Sequence, residues 1–104
     1  MTNQRLDDIR KRIDRIKAEL AAIDDMRPGS LTRQYKDPES QTGAYYQLSY
    51  TREMKSRTEY IARDCLREVR RQIANYKRFK ALTAAWIALG IEQSRLKMKL
   101  ARRH

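Results

Sequence analysis

Apolar side chains near the N-terminus recur in alternating steps of three and four residues. This seam consists of Leu6, Ile9, Ile13, Ile16, Leu20 and Ile23. The spacing places all six side chains on one side of an α-helix, as in helices that pack against a second helix. Proline and glycine in the segment Met26–Gly29 then end the pattern. We therefore predict a first helix over about residues 3–25, whose seam packs against another helix or against a second copy of the chain.

The helical spacing returns after residue 61, and no proline interrupts it. It begins with Leu66, Val69 and Ile73 and continues less regularly to Leu100, with Gly90 as a candidate break. At about 1.5 Å per residue, a helix over residues 63–102 would be about 60 Å long, against about 35 Å for the first helix. One small domain cannot bury a helix of this length. The two helices are therefore predicted to form an antiparallel pair or a coiled coil.

The segment between the helices contains both prolines and five of the six tyrosines, and its apolar period changes to two. In Ala44–Tyr50, one face consists of Tyr46, Leu48 and Tyr50 and the other of Tyr45, Gln47 and Ser49. Such alternation is typical of a β-strand. Residues 56–61 are predicted to return antiparallel as the second arm of a hairpin, and a shorter third strand is expected at residues 31–35.

Together these patterns predict a mainly α fold with a small β insertion. The expected parts are an N-terminal coiled-coil helix over residues 1–26, a tyrosine-rich β-hairpin head over 27–61 and a long basic C-terminal helix over 62–104. A composition with 36% charged residues, three glycines and two prolines suits long solvated helices better than a sandwich or a barrel.

Several function classes lack the residues that they need. One cysteine, Cys65, and one histidine, His104, offer neither a disulfide nor a zinc site. The most apolar run, Ala81–Gly90, is too short to span a bilayer, and the N-terminus has no apolar core of the secretory kind. The sequence also has no convergent carboxylates for a metal-dependent nuclease. We therefore predict a cytoplasmic protein without catalytic residues, metal, cofactor or membrane partner.

The chain carries 24 Lys and Arg against 13 Asp and Glu, a net charge of +11, and most of the excess falls after residue 60. At 100° per residue, six basic residues are expected on the side of the second helix opposite its apolar residues. This predicted ridge consists of Arg63, Arg67, Arg70, Arg71, Lys77 and Arg78. Like charges at these spacings repel one another, which favours a polyanionic partner, most commonly nucleic acid. The alternative interpretation is a solvated outer face that keeps the helix soluble.

The predicted hairpin interleaves basic and aromatic residues. Its basic candidates for nucleic-acid contact are Arg33, Lys36, Lys55 and Arg57. A two-stranded ribbon fits the major groove of DNA, where Gln47, Ser49 and Arg57 could contact base edges. Tyr45 is expected to meet a ligand by stacking or through its hydroxyl. The tyrosines expected to pack the hairpin onto the second helix, beside Leu48, are Tyr46, Tyr50 and Tyr60.

Four runs in the chain, RPGSLTRQY, GAYYQLSYT, KSRTEYI and IANYKRFKAL, resemble a family of small prokaryotic proteins of unknown function that occur with transposable elements. Many members carry a short cysteine cluster where this chain has KDPESQT, so the resemblance implies no zinc site here. We predict a nucleic-acid-binding accessory protein of a mobile element that binds DNA in preference to RNA, as a homo-oligomer, and that associates with the nucleoid. The alternative is a coiled-coil adaptor that docks on a larger recombinase, nuclease or nucleoprotein complex.

Overall fold

The computed structural model describes residues 2–102. Helix α1 spans Thr2–Ala21 and is followed by three strands, β1 (Ser30–Asp37), β2 (Thr42–Arg52) and β3 (Lys55–Ile61). A 3₁₀ turn at Arg63–Cys65 then leads into helix α2, Leu66–Ala101. The strands form one antiparallel sheet in the order β1-β2-β3, so β1 and β3 are its edges. Over residues 2–102, no part of α1 or α2 combines the length and apolar character that a bilayer span requires.

The predicted fold class, mainly α with a small β insertion, is wrong. The chain is of mixed class, with 58% helix and 26% strand, because its β part is a full three-stranded sheet rather than a small insertion. Over residues 2–102, the structure also shows no long helix pair or coiled coil. In the first turns of α2, Val69 and Ile73 pack against the sheet rather than against a helix.

The sheet has an inner face, which α2 covers, and an outer face. The predicted alternation in β2 is confirmed, because Leu48 is buried with Ile61, Val69 and Ile73 while Tyr46 and Tyr50 pack against this cluster. The two residues of α2 are four positions apart and therefore project from the same side of the helix. Successive strand residues point to opposite faces, so Tyr45, Gln47 and Ser49 lie on the outer face.

Tyr60 is on the opposite face from the one predicted. The strand register pairs it with Gln47 on the outer face, and its side chain is 70% exposed. Its neighbour Ile61 points inward and is buried in the core. A strand that buries Ile61 must expose Tyr60, because side chains alternate between the two faces.

The chain divides into two compact units, and α2 contributes to both. One unit comprises the residues up to Asp24 together with those from Arg78 onward. In it, three residues of the predicted seam are buried, Ile9, Ile13 and Ile16, and the other three, Leu6, Leu20 and Ile23, are half-buried. The Nε of Arg5 lies 2.5 Å from a carboxylate oxygen of Glu92. The centre of the seam is therefore covered within a single chain, and α2 runs through Gly90 without a break.

The other unit, Asp25–Lys77, contains the sheet and the first turns of α2. Hydrogen bonds to α2 hold the connection between α1 and β1. The side-chain amide of Asn75 donates to the carbonyl oxygen of Asp25 at 2.9 Å, and the backbone N–H of Arg27 donates to the carbonyl oxygen of Gln72 at 3.2 Å. These bonds fix the chain where it enters β1.

A cluster of Arg27, Tyr50 and Glu59 ties the same connection to β3. The Arg27 guanidinium lies 3.2 Å from the Glu59 carboxylate and 5.0 Å from the centroid of the Tyr50 ring. The Tyr50 hydroxyl donates a hydrogen bond of 2.8 Å to Glu59. The hydrogen bond from Arg27, and then that from Tyr50, lowers the pKa of the Glu59 carboxyl below its ordinary value of 4.5.

The Glu59 cluster should make stability fall in acid. Because the pKa is lower in the folded state, ionised Glu59 stabilises the fold at any pH above about 4.5, and this contribution is lost as pH falls through the folded-state pKa. We expect E59Q to lower the urea midpoint at pH 7 and to flatten its decline between pH 5 and 3. E39Q, which changes an exposed carboxylate in the β1–β2 connection, is the control. If the urea midpoint of E59Q declined with pH in parallel with that of the wild type over that range, the result would contradict the role of the cluster in acid stability.

Candidate nucleic-acid interface

Three basic residues line one side of the first turns of α2. Arg67, Arg70 and Lys77 are exposed and separated by three and seven positions, with Ala74 between the last two. We call Arg67, Arg70 and Lys77 the basic stripe. It extends over about 15 Å at about 1.5 Å per residue. Among residues 2–102, no carboxylate lies within 4.0 Å of these three cations.

The other basic residues of the predicted ridge are placed differently. Arg71 is bonded to Glu68 one turn earlier in α2. Arg78 belongs to the unit that contains α1, where it lies 3.3 Å from Glu19. Arg63 precedes α2, in the 3₁₀ turn. The single ridge predicted from sequence is therefore a shorter stripe and three separate cations.

Two residues of the basic stripe, Arg70 and Lys77, border a groove between α2 and the edge strand β1. Gly29, Ser30 and Leu31 line it on the strand side. On the helix side the lining residues are Arg70, Ile73, Ala74 and Lys77, and the groove has a volume of about 430 Å³. Because Ala74 is small, the space between the two cations stays open. The groove thus presents an amine and a guanidinium beside the apolar side chains of Leu31, Ile73 and Ala74, a combination that suits an anion.

Arg70 also contacts the edge of the core, rather than lying opposite the apolar side of α2 as predicted. Its guanidinium carbon is 5.7 Å from the centroid of the Tyr46 ring. Arg33, the register partner of Tyr46 on the inner face, lies 5.4 Å from the ring of Tyr35. Contacts of this kind hold a guanidinium by its charge and leave its N–H groups able to donate to a ligand. They therefore orient Arg33 and Arg70 without neutralising them.

The tip of the β2–β3 hairpin carries a second group of cations. Arg52 pairs with Lys55 and Tyr50 pairs with Arg57 across the two strands, so the three cations share the inner face. The turn consists of Glu53 and Met54 at φ of 53° and 65°, as in the two-residue turns that join tight hairpins. Met54 is 98% exposed. The tip is thus a narrow projection with a charged face and an apolar end.

The outer face of the sheet is nearly uncharged, and it separates the predicted base-contacting residues. Gln47 and Ser49 lie on it, whereas Arg57 lies on the inner face. Its other positions carry mostly hydroxyl and amide groups, such as Thr32 and Thr58, which are the register partners of Gln47 and Ser49. Lys36 lies beside Gly43 near the end of β1. The structure therefore does not bring Gln47, Ser49 and Arg57 together as one surface.

Two tyrosines and an arginine surround a small pocket where β2 begins and β3 ends. The ring centroids of Tyr45 and Tyr60 are 6.3 Å apart, and the rings are inclined at 35°. The pocket has a volume of about 210 Å³, and its lining comprises Ala44, Tyr45, Tyr46, Tyr60, Ile61 and Arg63. We call it the tyrosine pocket. The sequence pattern predicted Tyr60 in the core, although the apolar residue Ile61 next to it in the strand could have indicated that Tyr60 faces outward.

Residues 6–71 match the model of a family described as a domain of unknown function (DUF6788). The match includes most of α1, the whole sheet and the first turn of α2 with Arg67 and Arg70. No curated protein and no solved structure matches the chain. The arrangement of residues described above is therefore the basis on which the function must be inferred.

Proposed function

The chain belongs to the DUF6788 family of unknown function, and we propose that it binds nucleic acid, with duplex DNA as the preferred form. The observation that carries this proposal is the basic stripe. Arg67, Arg70 and Lys77 are exposed and have no carboxylate within 4.0 Å among residues 2–102. Arg70 and Lys77 also border an open groove. In a chain of net charge +11, such cations attract a polyanion and are stabilised by its phosphates.

The spacing of the stripe supports a duplex partner. Its length of about 15 Å corresponds to more than four base-pair steps of about 3.4 Å, enough to contact several phosphates of one strand. Arginines bind phosphate oxygens through two parallel N–H groups, and lysine supplies a point charge. These contacts would fix the position of the protein on DNA without reading its sequence.

The hairpin tip supports a second contact with the same duplex. A two-stranded ribbon is narrow enough to enter the major groove of DNA. Arg52, Lys55 and Arg57 would contact the phosphates on either side of the groove, and Met54 would meet its floor. The tip is thus the candidate for groove contact, whereas the basic stripe is the candidate for backbone contact.

The resemblance of the chain to proteins found with transposable elements supports a cellular context for this binding. We propose an accessory role, in which the protein binds element DNA on which a separate enzyme acts. Such a protein would be associated with the nucleoid in the cytoplasm. Its partner in this proposal is DNA itself, and the chemistry of strand cleavage belongs to another chain.

Salt dependence tests the proposed function directly. If about six phosphates are contacted, the logarithm of the association constant should fall with the logarithm of the salt concentration with a slope of about −5. Affinity for a labelled duplex would then drop about a thousandfold between about 50 and 200 mM salt. Fluorescence anisotropy measures this salt dependence. The probes are duplex DNA, single-stranded DNA and structured RNA, each at both salt concentrations.

Each result has a distinct meaning. Tight duplex binding with the steep salt loss would support the proposal, and tighter binding to RNA would transfer it to that polymer. A slope near zero, or weak binding to all three, would contradict nucleic-acid binding. The charge would then be better explained as complementary to an acidic protein.

A further inference from the structure

We propose that the tyrosine pocket binds one unpaired nucleotide, with the base stacked on Tyr60 and the phosphate bound by Arg63. This inference rests on the proposed function and makes it more specific, because it adds a site for single-stranded or locally opened nucleic acid. The pocket lies on the sheet and not on the basic stripe. The two kinds of binding can therefore be lost independently.

The exposure of Tyr60 is the first argument. An aromatic ring that is 70% exposed contributes little to the core, and the neighbouring residue Ile61 supplies the burial in this strand. Tyr45 and Tyr60 are diagonal neighbours on adjacent strands, with ring centroids 6.3 Å apart. Despite this contact, most of the Tyr60 side chain remains exposed. An open ring face can stack on any of the bases.

The size of the pocket is the second argument. Its volume of about 210 Å³ is below the range of about 300–1,000 Å³ that is usual for drug-sized ligands. It suits a single flat ring system stacked on one tyrosine ring. In a duplex the base faces are stacked on one another, so a base reaches such a pocket only when it is unpaired or turned out of the helix.

Arg63 supplies the charge that a nucleotide requires. It is exposed in the 3₁₀ turn, whose backbone is held by a hydrogen bond of 2.9 Å from the N–H of Cys65 to the carbonyl oxygen of Ala62. Among residues 2–102, neither Asp64 nor any other carboxylate lies within 4.0 Å of its guanidinium. Because the outer face is nearly uncharged, a phosphate near the pocket would be bound by this one arginine.

The test uses strands that carry 2-aminopurine, a fluorescent base whose emission falls when it stacks. The probes are a fully paired duplex, the same duplex with one unpaired 2-aminopurine, and single strands of DNA and of RNA. Wild-type protein should bind the duplex with the unpaired base about tenfold more tightly than the paired duplex and should quench its fluorescence. The two single strands distinguish DNA from RNA as the source of the unpaired base.

Two pairs of variants separate stacking from charge. Y60L should abolish quenching and lose the roughly tenfold preference, whereas Y60F, which keeps the ring, should retain both. R63Q should weaken binding of the unpaired base and reduce the salt slope by about one, and R95Q, on the far part of α2, should not reduce this preference. Tyr60 and Arg63 are exposed, so these variants should keep the wild-type circular dichroism spectrum and melting temperature.

Equal affinity of wild-type protein for the paired and unpaired duplexes would overturn this inference while leaving the proposed function intact. Quenching by Y60L at the wild-type level would also overturn it. Absence of binding to every probe would refute the proposed function and this inference together. Binding of single strands alone, with quenching, would support the tyrosine pocket and contradict duplex recognition.

Discussion

Reversing the charge of the basic stripe, in the variant R67E/R70E/K77E, should reduce affinity for duplex DNA by more than about 100-fold at about 100 mM salt. The three cations are exposed on α2, and two of them, Arg70 and Lys77, border the groove beside β1. Each phosphate contact that is lost removes about 0.9 from the salt slope, so the slope should become less steep by about three. Anisotropy titrations of labelled duplex at several salt concentrations measure both quantities.

The matched control is R95E/K97E/K99E. These residues lie in the last turns of α2, are exposed and lose the same formal charge when reversed. If the basic stripe is the binding site, the control should lose much less affinity than the stripe variant. Equal losses would mean that binding follows net charge alone and that the stripe is not the site. A second control, R67Q/R70Q/K77Q, removes the charges without adding acidic residues that could cause misfolding. Its effects on affinity and on the salt slope should be smaller than those of the stripe variant and in the same direction.

The sequence predicted well those features that depend on neighbours along the chain. Seam spacing located α1, and alternation located the two faces of β2, including the buried Leu48. It was less successful with β1, expected as a short strand at residues 31–35 and found over Ser30–Asp37. Polar residues such as Thr32 and Gln34 do not indicate a strand by themselves. They form one because β1 pairs with β2 along almost the whole length of β1. This pairing makes the fold class mixed.

The candidate site was predicted in part for a similar reason. The charge count located an excess of cations in the second helix, but helical geometry cannot identify which of them meet a carboxylate. Arg78 pairs with Glu19, 59 residues earlier in the sequence, and a contact of that range depends on the fold. Tyr60 was assigned to the core because it is aromatic, whereas Ile61 fills the inward position in β3. Strand register, more than residue type, therefore determines which of these two side chains is buried.

The variant G29A should destabilise the protein by about 2–4 kcal/mol. Gly29 immediately precedes β1 at φ of +148°, a backbone conformation that residues with side chains rarely adopt. A Cβ atom at this position would also lie inside the contact distance of Leu48 Cδ1 and 3.0 Å from Leu48 Cγ. Leu48 is wholly buried, so it cannot move aside without disturbing Ile61, Val69 and Ile73. Urea unfolding should show the loss, with a fall in melting temperature of about 10 °C or more.

G90A is the matched control, with the same chemical change and the opposite expected sign. Gly90 lies within α2, and a Cβ atom there would have no neighbour within 4 Å. Because alanine loses less conformational entropy than glycine on entering a helix, G90A should stabilise the protein by about 0.5–1 kcal/mol. A G29A variant as stable as wild type would show that the connection to β1 can move away from Leu48. The core would then not depend on the close approach of this glycine, and the position of β1 beside the groove would be less firmly fixed than the structure indicates.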